Sequence, residues 1–592
     1  MTGALTRKQE STREKTPSAY AFEAGTLGIL LCWAIVFADI GTSVYYTPGI
    51  LFQRFGTHSA LFVDLVFVVF VLLAVKYAEV AIRFPEGGGV VSVATKAVHP
   101  IVGLVGGLLI LADYFLTAGL SATSGVIYLS VLLGPLKLFV VAAAIAALLL
   151  LGLLNFIGVA TSAEITAFFA IAAAVTQLAV VVAVIVAFGP ARILADFGEM
   201  FAGPQLTPTD AIVGFAGAFL AFSGLESIAQ LAPAMKSPRS RVAPRTMLYV
   251  VLTLLVTSPL LTLWSTTLLA RGANTNQAIS LLGGAAAGPW LQDAVAASGA
   301  LLLIFACNTA LIGSYHVFLA LSRMRFLPKI LQRMNPWRGT PHVSIGVATV
   351  VPVLVVILTG ANTTSLGDLY AFGLLGAFSV TCVSLDVIRW REMRAPRSPK
   401  STFRTSMPLF VLGVATSVAV VAAWATNLVA KPFATVYGSA LVLIGLGIAF
   451  LTIRAQSKRG QYPLFPYLHW PGRPTVIMRA NQGLEPAPVL AFLPSDPGKV
   501  ADVVRRTLAR APKGPIVFAF RGETPRTRPP GLLEILDPYA DDAAAQAAFQ
   551  GAEAAARKVG VRARYVYIPA GADEGVDDWV RQQLRPEEII TV

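Results

Sequence analysis

The chain has 592 residues, of which 55% are hydrophobic and 13% are charged, and its mean hydropathy is +0.69. Soluble domains carry about 25% charged residues, so this composition excludes a mostly soluble protein. The formal net charge is +14, from 46 Lys and Arg residues against 32 Asp and Glu residues. The placement of the basic residues accounts for this charge without nucleic acid as a partner.

The polar residues 1–22 predict a disordered, cytoplasmic N-terminal tail. Residues 23–455 then carry about twelve apolar runs of roughly 20 residues, the length that crosses the hydrocarbon core of a bilayer. The clearest runs are 61–81, 136–156, 165–188, 249–269 and 436–451. These residues therefore predict an all-α polytopic membrane domain with about 12 transmembrane helices and the lipid bilayer as its partner.

Basic residues concentrate in alternate predicted loops, and the loops between them are poor in Lys and Arg. The positive-inside rule then places the basic loops and both termini in the cytoplasm. The three basic clusters are Lys236, Arg239, Arg241 and Arg245; Arg323, Arg325, Lys329, Arg333 and Arg338; and Arg389, Arg391, Arg394, Arg397, Lys400 and Arg404.

The reactive side chains give no sign of an enzyme. Cys32, Cys307 and Cys382 lie inside apolar stretches and are interpreted as packing residues. No Cys/His cluster has metal-ligand spacing, and no Ser/His/Asp arrangement stands out. We therefore predict no enzymatic activity and no cofactor.

The C-terminal region changes in composition. Residues 456–474 are rich in proline and aromatic residues and predict a connector along the membrane surface. In residues 475–592, short apolar strands alternate with helical stretches, which predicts a small cytoplasmic α/β domain with a parallel sheet. This domain resembles a shortened universal-stress-protein-like fold. It has no convincing Gly-rich phosphate loop.

Two predicted spans contain interruptions. Gly41 and Thr42 interrupt the first apolar segment, and Ser223 and Gly224 interrupt the sixth. In transporters built from inverted repeats, breaks at matching positions of the two halves mark a binding site at mid-membrane. The spacing fits two five-helix repeats that begin at spans one and six.

Three motifs resemble the amino acid–polyamine–organocation superfamily. They are YAEVAIRFPEGGG at residues 77–89, FSGLE at 222–226 followed by KSP at 236–238, and SRMRFLP at 322–328. They resemble the end of the second helix, the sixth helix with its following loop, and the end of the eighth helix. The resemblance implies a LeuT-like 5+5 inverted repeat with two further helices.

Two further motifs resemble potassium transporters. FADIGTSVYY at residues 37–46 is similar to the first-helix motif of Kup-type and KimA-like potassium importers, although Kup proteins continue with Pro-Leu-Tyr where this chain has Val44, Tyr45 and Tyr46. DYFLTAGLS at residues 113–121 resembles the third helix of KimA-like importers. The resemblance implies an aromatic gate at Tyr370 in the tenth span and a homodimer through the C-terminal domain; the alternative for Tyr370 is an interface anchor.

Asp39 is a carboxylate in the middle of the first predicted span. Such a group costs about 2.5–3.5 kcal/mol on insertion scales and normally faces a cavity or a partner. Ser43 and Tyr46 follow four and seven residues later, which places both on the face of Asp39 until the helix breaks. One charge and two neutral oxygens suit a dehydrated monovalent cation. The alternative is that Asp39 is a structural cap or lies near the cytoplasmic interface.

Asp113, Thr117 and Ser121 recur every four residues and so form one stripe on the third helix, which indicates a pathway wall. The alternative is interhelical hydrogen bonding, worth about 0.6 kcal/mol per group. Ser223 and the carbonyls at the sixth-span break complete the predicted site. Glu226 is the candidate proton carrier, with capping of the second half-helix as its alternative.

The leading hypothesis is a secondary transporter in a bacterial inner membrane that imports potassium by proton symport. Asp39, Tyr46, Asp113 and Thr117 are its candidate potassium ligands. A second hypothesis is a proton-coupled amino acid or polyamine permease, because Asp39 could hold an amine. A third is a transporter-like sensor whose tail binds a cytosolic ligand.

Overall fold

The structure of the protein is a computed structural model. It describes residues 25–84, 87, 89–158, 163–203, 205–269, 274–324, 326–394, 405–458, 474–476, 488–510, 516–522, 543–561, 563–568, 581 and 584–591. The predicted tail at residues 1–22 and most of the predicted connector at 456–474 lie outside these residues, as do Glu86, Arg325, Arg397, Lys400 and Arg404 of the motifs and basic clusters.

Twelve helical segments of the described chain are long and apolar enough to cross a membrane, which confirms the predicted number. Spans 1 and 6 each contain two helices, and the other spans contain one. In order, the spans are formed by α1 (Ile29–Ile40) with α2 (Ser43–Phe55), α3 (His58–Arg83), α5 (Pro100–Leu132), α6 (Val140–Ile157), α7 (Ala163–Glu199), α8 (Pro208–Ala218) with α9 (Ser227–Gln230), α10 (Arg239–Thr267), α12 (Pro289–Arg323), α13 (His342–Thr359), α14 (Thr363–Arg394), α15 (Met407–Ala430) and α16 (Pro432–Lys458). The short helices α4 (Gly89–Ala97) and α11 (Ala278–Ala287) lie between spans.

Spans 1 and 6 are both broken near their middles. In span 1, α1 ends at Ile40 and α2 begins at Ser43, with Gly41 and Thr42 between them. In span 6, α8 continues into a 3₁₀ turn at Phe219–Phe222, and the chain is irregular until α9 begins at Ser227. Each half of the first ten spans thus begins with a broken helix, in agreement with the predicted 5+5 repeat plus two helices.

Burial separates the central spans from the peripheral ones. The apolar windows of spans 1, 3, 6 and 10 are 72–83% buried, whereas those of spans 4, 5, 11 and 12 are 17–33% buried. Apolar side chains on the outer spans have lipid as their solvent, so only the central spans need protein on all sides. Polar side chains of the broken helices and of spans 3 and 10 therefore meet inside the bundle.

The assignment of the basic clusters to loops was wrong for several residues. Arg239, Arg241 and Arg245 lie in the first two turns of α10, and Arg323 ends α12. Arg389 lies within α14 and is fully buried. It can be buried because its guanidinium pairs with the Glu79 carboxylate at 2.5 Å, a buried partner that composition does not reveal.

The described C-terminal residues form a five-stranded parallel sheet, which confirms the predicted small α/β region. Its strands are β1 (Pro474–Val476), β2 (Val489–Leu493), β3 (Ile516–Arg521), β4 (Ala563–Ile568) and β5 (Glu588–Ile590), in the order β1-β4-β3-β2-β5. Helices α17 (Pro497–Arg510) and α18 (Ala543–Lys558) connect neighbouring strands. The edge strand β1 was not predicted, because three residues carry too short a pattern.

Candidate functional site

Asp39 lies beside the break of span 6. A Cβ atom built on Gly224 would lie 2.7 Å from Asp39 Cγ and 3.0 Å from its Oδ2, so only glycine fits between the two broken helices. Gly224 also has φ = +93°, a conformation that favours glycine. Asp39 is only half-buried although it lies in the middle of span 1. Part of the carboxylate therefore faces space inside the bundle.

The break of span 1 lies between Asp39, which belongs to α1, and Ser43 and Tyr46, which belong to α2. The Ser43 hydroxyl lies 2.7 Å from the Ile40 carbonyl and 2.5 Å from the Ala221 carbonyl, and so ties span 1 to span 6. The Tyr46 hydroxyl lies 3.3 Å from Ser223 Oγ. Both side chains thus meet the break of span 6 through tertiary contacts.

Span 3 brings Asp113 and Thr117 against span 10. Thr117 donates a 2.9 Å hydrogen bond to the Tyr370 hydroxyl, and Tyr370 also faces Asp113 and Ser223. Asp113 is fully buried, and within the described chain neither of its carboxyl oxygens has a hydrogen-bond partner. A buried carboxyl without partners is costly, so this group is suited to a bound cation or a proton.

Ser121 continues the stripe of Asp113 and Thr117 on α5. It is fully buried, and its hydroxyl has no hydrogen-bond partner among the described residues. The alternative role in helix–helix hydrogen bonding is thus not seen for Ser121. For Thr117 it is seen, since that hydroxyl donates to the Tyr370 hydroxyl of span 10; its 3.0 Å contact with the Asp113 carbonyl lies within α5.

Glu226 occupies the N-cap position of α9, but its side chain makes no capping hydrogen bond to this fully described helix. The capping alternative is therefore wrong. The carboxyl group lies instead against the backbone amides of Gly224 and of Glu226 itself. Its second oxygen, Oε2, is buried and has no partner within the described residues.

The three carboxyl groups form one electrostatic unit. Asp39 and Asp113 interact with each other, and both interact with Glu226. Like charges this close cannot all be ionised in a buried site unless a cation compensates them. The three carboxyl groups among spans 1, 3 and 6 therefore require bound protons or a bound cation.

Gln177 of span 5 contacts the break of span 1. Its amide donates a 3.3 Å hydrogen bond to the carbonyl of Gly41 at the span 1 break. Asn155 and Asn308 hydrogen-bond each other at 2.7 Å between spans 4 and 8. Gln177 thus supports the broken helix, whereas Asn155 joins two intact ones.

Two buried charged residues were not predicted from the sequence. Lys76 of span 2 and Asp386 of span 10 form an ion pair of 2.9 Å. A single lysine inside the apolar run 61–81 was the available signal, since charges in a span normally have a partner. Tyr114 was not predicted to be a site residue. It lies beside Glu226, Asp113 and Asp39.

Charged side chains form a network at the end of span 2. Glu79 pairs with Arg83 at 2.6 Å within α3 and with Arg389 of span 10. Arg83 also pairs with Glu392 of span 10 through both guanidinium nitrogens. Spans 2 and 10 are thus joined at this end by charged side chains.

Comparisons with known proteins agree with this architecture. Residues 27–451 match the family model described as amino acid permease. The potassium transporter KimA of Bacillus subtilis (strain 168) is 25% identical over 349 residues, which cover 56% of this chain and 54% of that protein. The chain thus spans about half the length of this curated relative.

Two solved structures of a manganese transporter from Eremococcus coleocola resemble the chain at 15% identity. A mutant form has a TM-score of 0.49, covering 74% of this chain and 99% of that chain. A complex with an aromatic bis-isothiourea substituted compound has a TM-score of 0.45, covering 72% of this chain and 95% of that chain.

Proposed function

From the premise that this chain belongs to the amino acid permease family, we propose that it is a secondary transporter that imports potassium by proton symport. The observation that carries this proposal is the fully buried Asp113, whose carboxyl oxygens lack hydrogen-bond partners among the described residues. The similarity to a potassium transporter, reported above, supports the same cargo.

The chemistry of the surrounding groups favours a monovalent cation. Besides the carboxyl groups of Asp39 and Asp113, the ligand candidates are neutral oxygens of Tyr46, Thr117 and Tyr370. Neutral hydroxyl and carbonyl oxygens can replace the hydration shell of potassium at a modest cost. An interior-negative membrane potential would add about 2.3 kcal/mol per charge and per 100 mV to cation entry.

Proton coupling rests on the excess of carboxyl groups. One potassium ion compensates one negative charge, whereas Asp39, Asp113 and Glu226 can carry three. Two protons must therefore accompany the ion for the site to be neutral. Glu226 is the candidate carrier, because its Oε2 is buried without a partner in the described chain.

A proton-coupled permease for cationic amino acids or polyamines is the second candidate. The match to the amino acid permease family over residues 27–451 favours it. Asp39 lies beside the broken helices and would hold an amine. It would repel a substrate carboxylate bound to the exposed backbone amides of a broken helix.

Uptake by proteoliposomes tests these proposals. Wild-type protein should accumulate potassium when an inward proton gradient is imposed, and Asp39→Asn and Asp113→Asn should lower the apparent affinity about 10- to 100-fold, since a contact to a charged group is worth about 1.5–3 kcal/mol. Asp293→Asn, which changes an exposed carboxylate of α12, is the matched control. Accumulation of labelled polyamine or lysine without potassium uptake would instead identify the second candidate.

A further inference from the structure

A small cavity lies next to Glu226, between α4 and spans 2, 3, 6, 8 and 10. It has about 10 Å³ for the centres of water-sized molecules, which is about the space that one water needs. Its lining includes Tyr77, Val90, Tyr114, Glu226, Gln230 and Ala377.

Two polar atoms of this cavity lining lack partners. Glu226 Oε2 and the Tyr114 hydroxyl are buried, and neither has a hydrogen-bond partner within the described chain. The two side chains come from different spans, α5 for Tyr114 and the break of span 6 for Glu226. Buried polar groups are normally satisfied, often by an ordered water with two to four polar partners. The Gln230 amide supplies a third polar group.

The cavity lies on one side of the ion site. Gln230 is the last residue of α9, and Tyr77 lies in the last two turns of α3, which ends at Arg83. Asp113, on the same helix as Tyr114, belongs to the ion site. With the proposed cytoplasmic termini, the ends of spans 2 and 6 face the cytoplasm. The cavity therefore separates Glu226 from the cytoplasmic face.

We propose that this cavity, called here the Glu226 cavity, holds a water molecule through which Glu226 exchanges its proton with the cytoplasm. The hydroxyl of Tyr114 and the amide of Gln230 orient that water. This inference rests on the proposed proton coupling and deepens it by naming the route of the proton.

The proton transfer from Glu226 needs no reactant other than water. The O–H bond of the protonated Glu226 carboxyl breaks, and a new O–H bond forms on the cavity water. That water passes one of its other protons to a water molecule of the cytoplasmic solution, which becomes hydronium, and the cavity water is neutral again. Glu226 is left as a carboxylate, which would attract the next proton or a cation in the ion site.

Other titratable groups face Glu226 and influence its charge. Asp39 approaches from span 1 and Asp113 from span 3. Three tyrosines also interact with it: Tyr77 of span 2, Tyr114 of span 3 and Tyr370 of span 10. These groups together influence how readily Glu226 releases its proton.

Infrared difference spectroscopy of the purified full-length protein tests the exchange directly. The carboxyl band of Glu226, identified by its loss in Glu226→Gln, should shift quickly after transfer to heavy water. In Tyr114→Phe the shift should be about tenfold slower, which corresponds to about 1.4 kcal/mol, the order of one lost hydrogen bond. Tyr437→Phe, a half-buried tyrosine of span 12, should exchange as the wild type does.

Gln230→Met provides a second variant in case Tyr114→Phe does not fold, and it should also slow the exchange. Equal exchange rates in wild type and in the folded variants would overturn the proposal, as would a Glu226 with no carboxyl band at all. In proteoliposomes, both variants should lower the proton flux per potassium ion. If the wild type transports no potassium, the proposed cargo fails, whereas the exchange rates still decide the role of the cavity.

Discussion

Lys76 Nζ lies 2.9 Å from Asp386 Oδ2, so an ion pair joins span 2 to span 10 inside the membrane domain. Ser417 of span 11 serves both partners, since it accepts a 2.7 Å hydrogen bond from Lys76 and donates one of 2.5 Å to Asp386. Lys76 also donates to the Cys382 carbonyl at 3.2 Å. The pair is almost completely buried, because the side chains of Lys76 and Asp386 are 3% and 11% exposed.

Removing one partner of this pair should destabilise the protein strongly. Asp386→Asn leaves the Lys76 ammonium group buried without its counter-charge, and we expect a loss of about 3–5 kcal/mol in unfolding free energy. Thermal unfolding of the protein in detergent measures this change. Asp502→Asn, which breaks an exposed ion pair with Arg506 in the C-terminal domain, should cost no more than about 1 kcal/mol. Similar shifts for both variants would show that Lys76 is compensated by other groups.

Gly224→Ala should abolish transport. The new methyl group would lie 2.7 Å from Asp39 Cγ, and alanine disfavours the φ of +93° at this position. Gly360→Ala separates these effects, because Gly360 also has a positive φ, +58°, but its Cβ would meet nothing within 4 Å. We expect Gly360→Ala to cost about 1–2 kcal/mol of stability and to transport normally. Normal uptake by Gly224→Ala would contradict the placement of Asp39 against the break.

Gln177→Leu should weaken cargo binding. The variant leaves the Gly41 carbonyl at the helix break without its amide donor, at a cost of about 1–3 kcal/mol. Where the lost hydrogen bond distorts the binding site by this free energy, the apparent affinity for the cargo falls about fivefold or more. Asn155→Leu removes a comparable amide that joins only spans 4 and 8, so it should lower stability and leave affinity unchanged. Equal affinities for the two variants would assign Gln177 a purely structural role.

Thr117 and Tyr370 should act as a pair in cargo binding. Their hydroxyls are hydrogen-bonded at 2.9 Å, and Tyr370 faces Asp113. A double-mutant cycle with Thr117→Val and Tyr370→Phe, read from apparent affinities in uptake, should give a coupling energy of about 0.5–3 kcal/mol. Thr416→Val, whose hydroxyl bonds only within its own helix, should show no coupling to Tyr370→Phe. Additive effects in the first cycle would show that Thr117 and Tyr370 contribute independently to cargo binding.

The sequence by itself determined the architecture. Apolar runs long enough to cross a bilayer and glycines at matching positions of spans 1 and 6 predicted twelve helices with two breaks, and the structure has both. This succeeds because the hydrocarbon core imposes length and polarity on every span separately, so local patterns suffice. Asp39 and Asp113 stood out for the same reason, as carboxyl groups in apolar surroundings.

Only the tertiary structure decided which polar groups meet. The sequence does not show that Ser43 bonds to Ala221, or which residues of other spans pair with Lys76, Glu79 and Arg389. Helix periodicity also did not show that Ser43 and Tyr46 belong to a different helix from Asp39, α2 and α1 respectively. The identity of a partner depends on how helices pack, a sum of many contacts between residues far apart in sequence, and local pattern does not contain it.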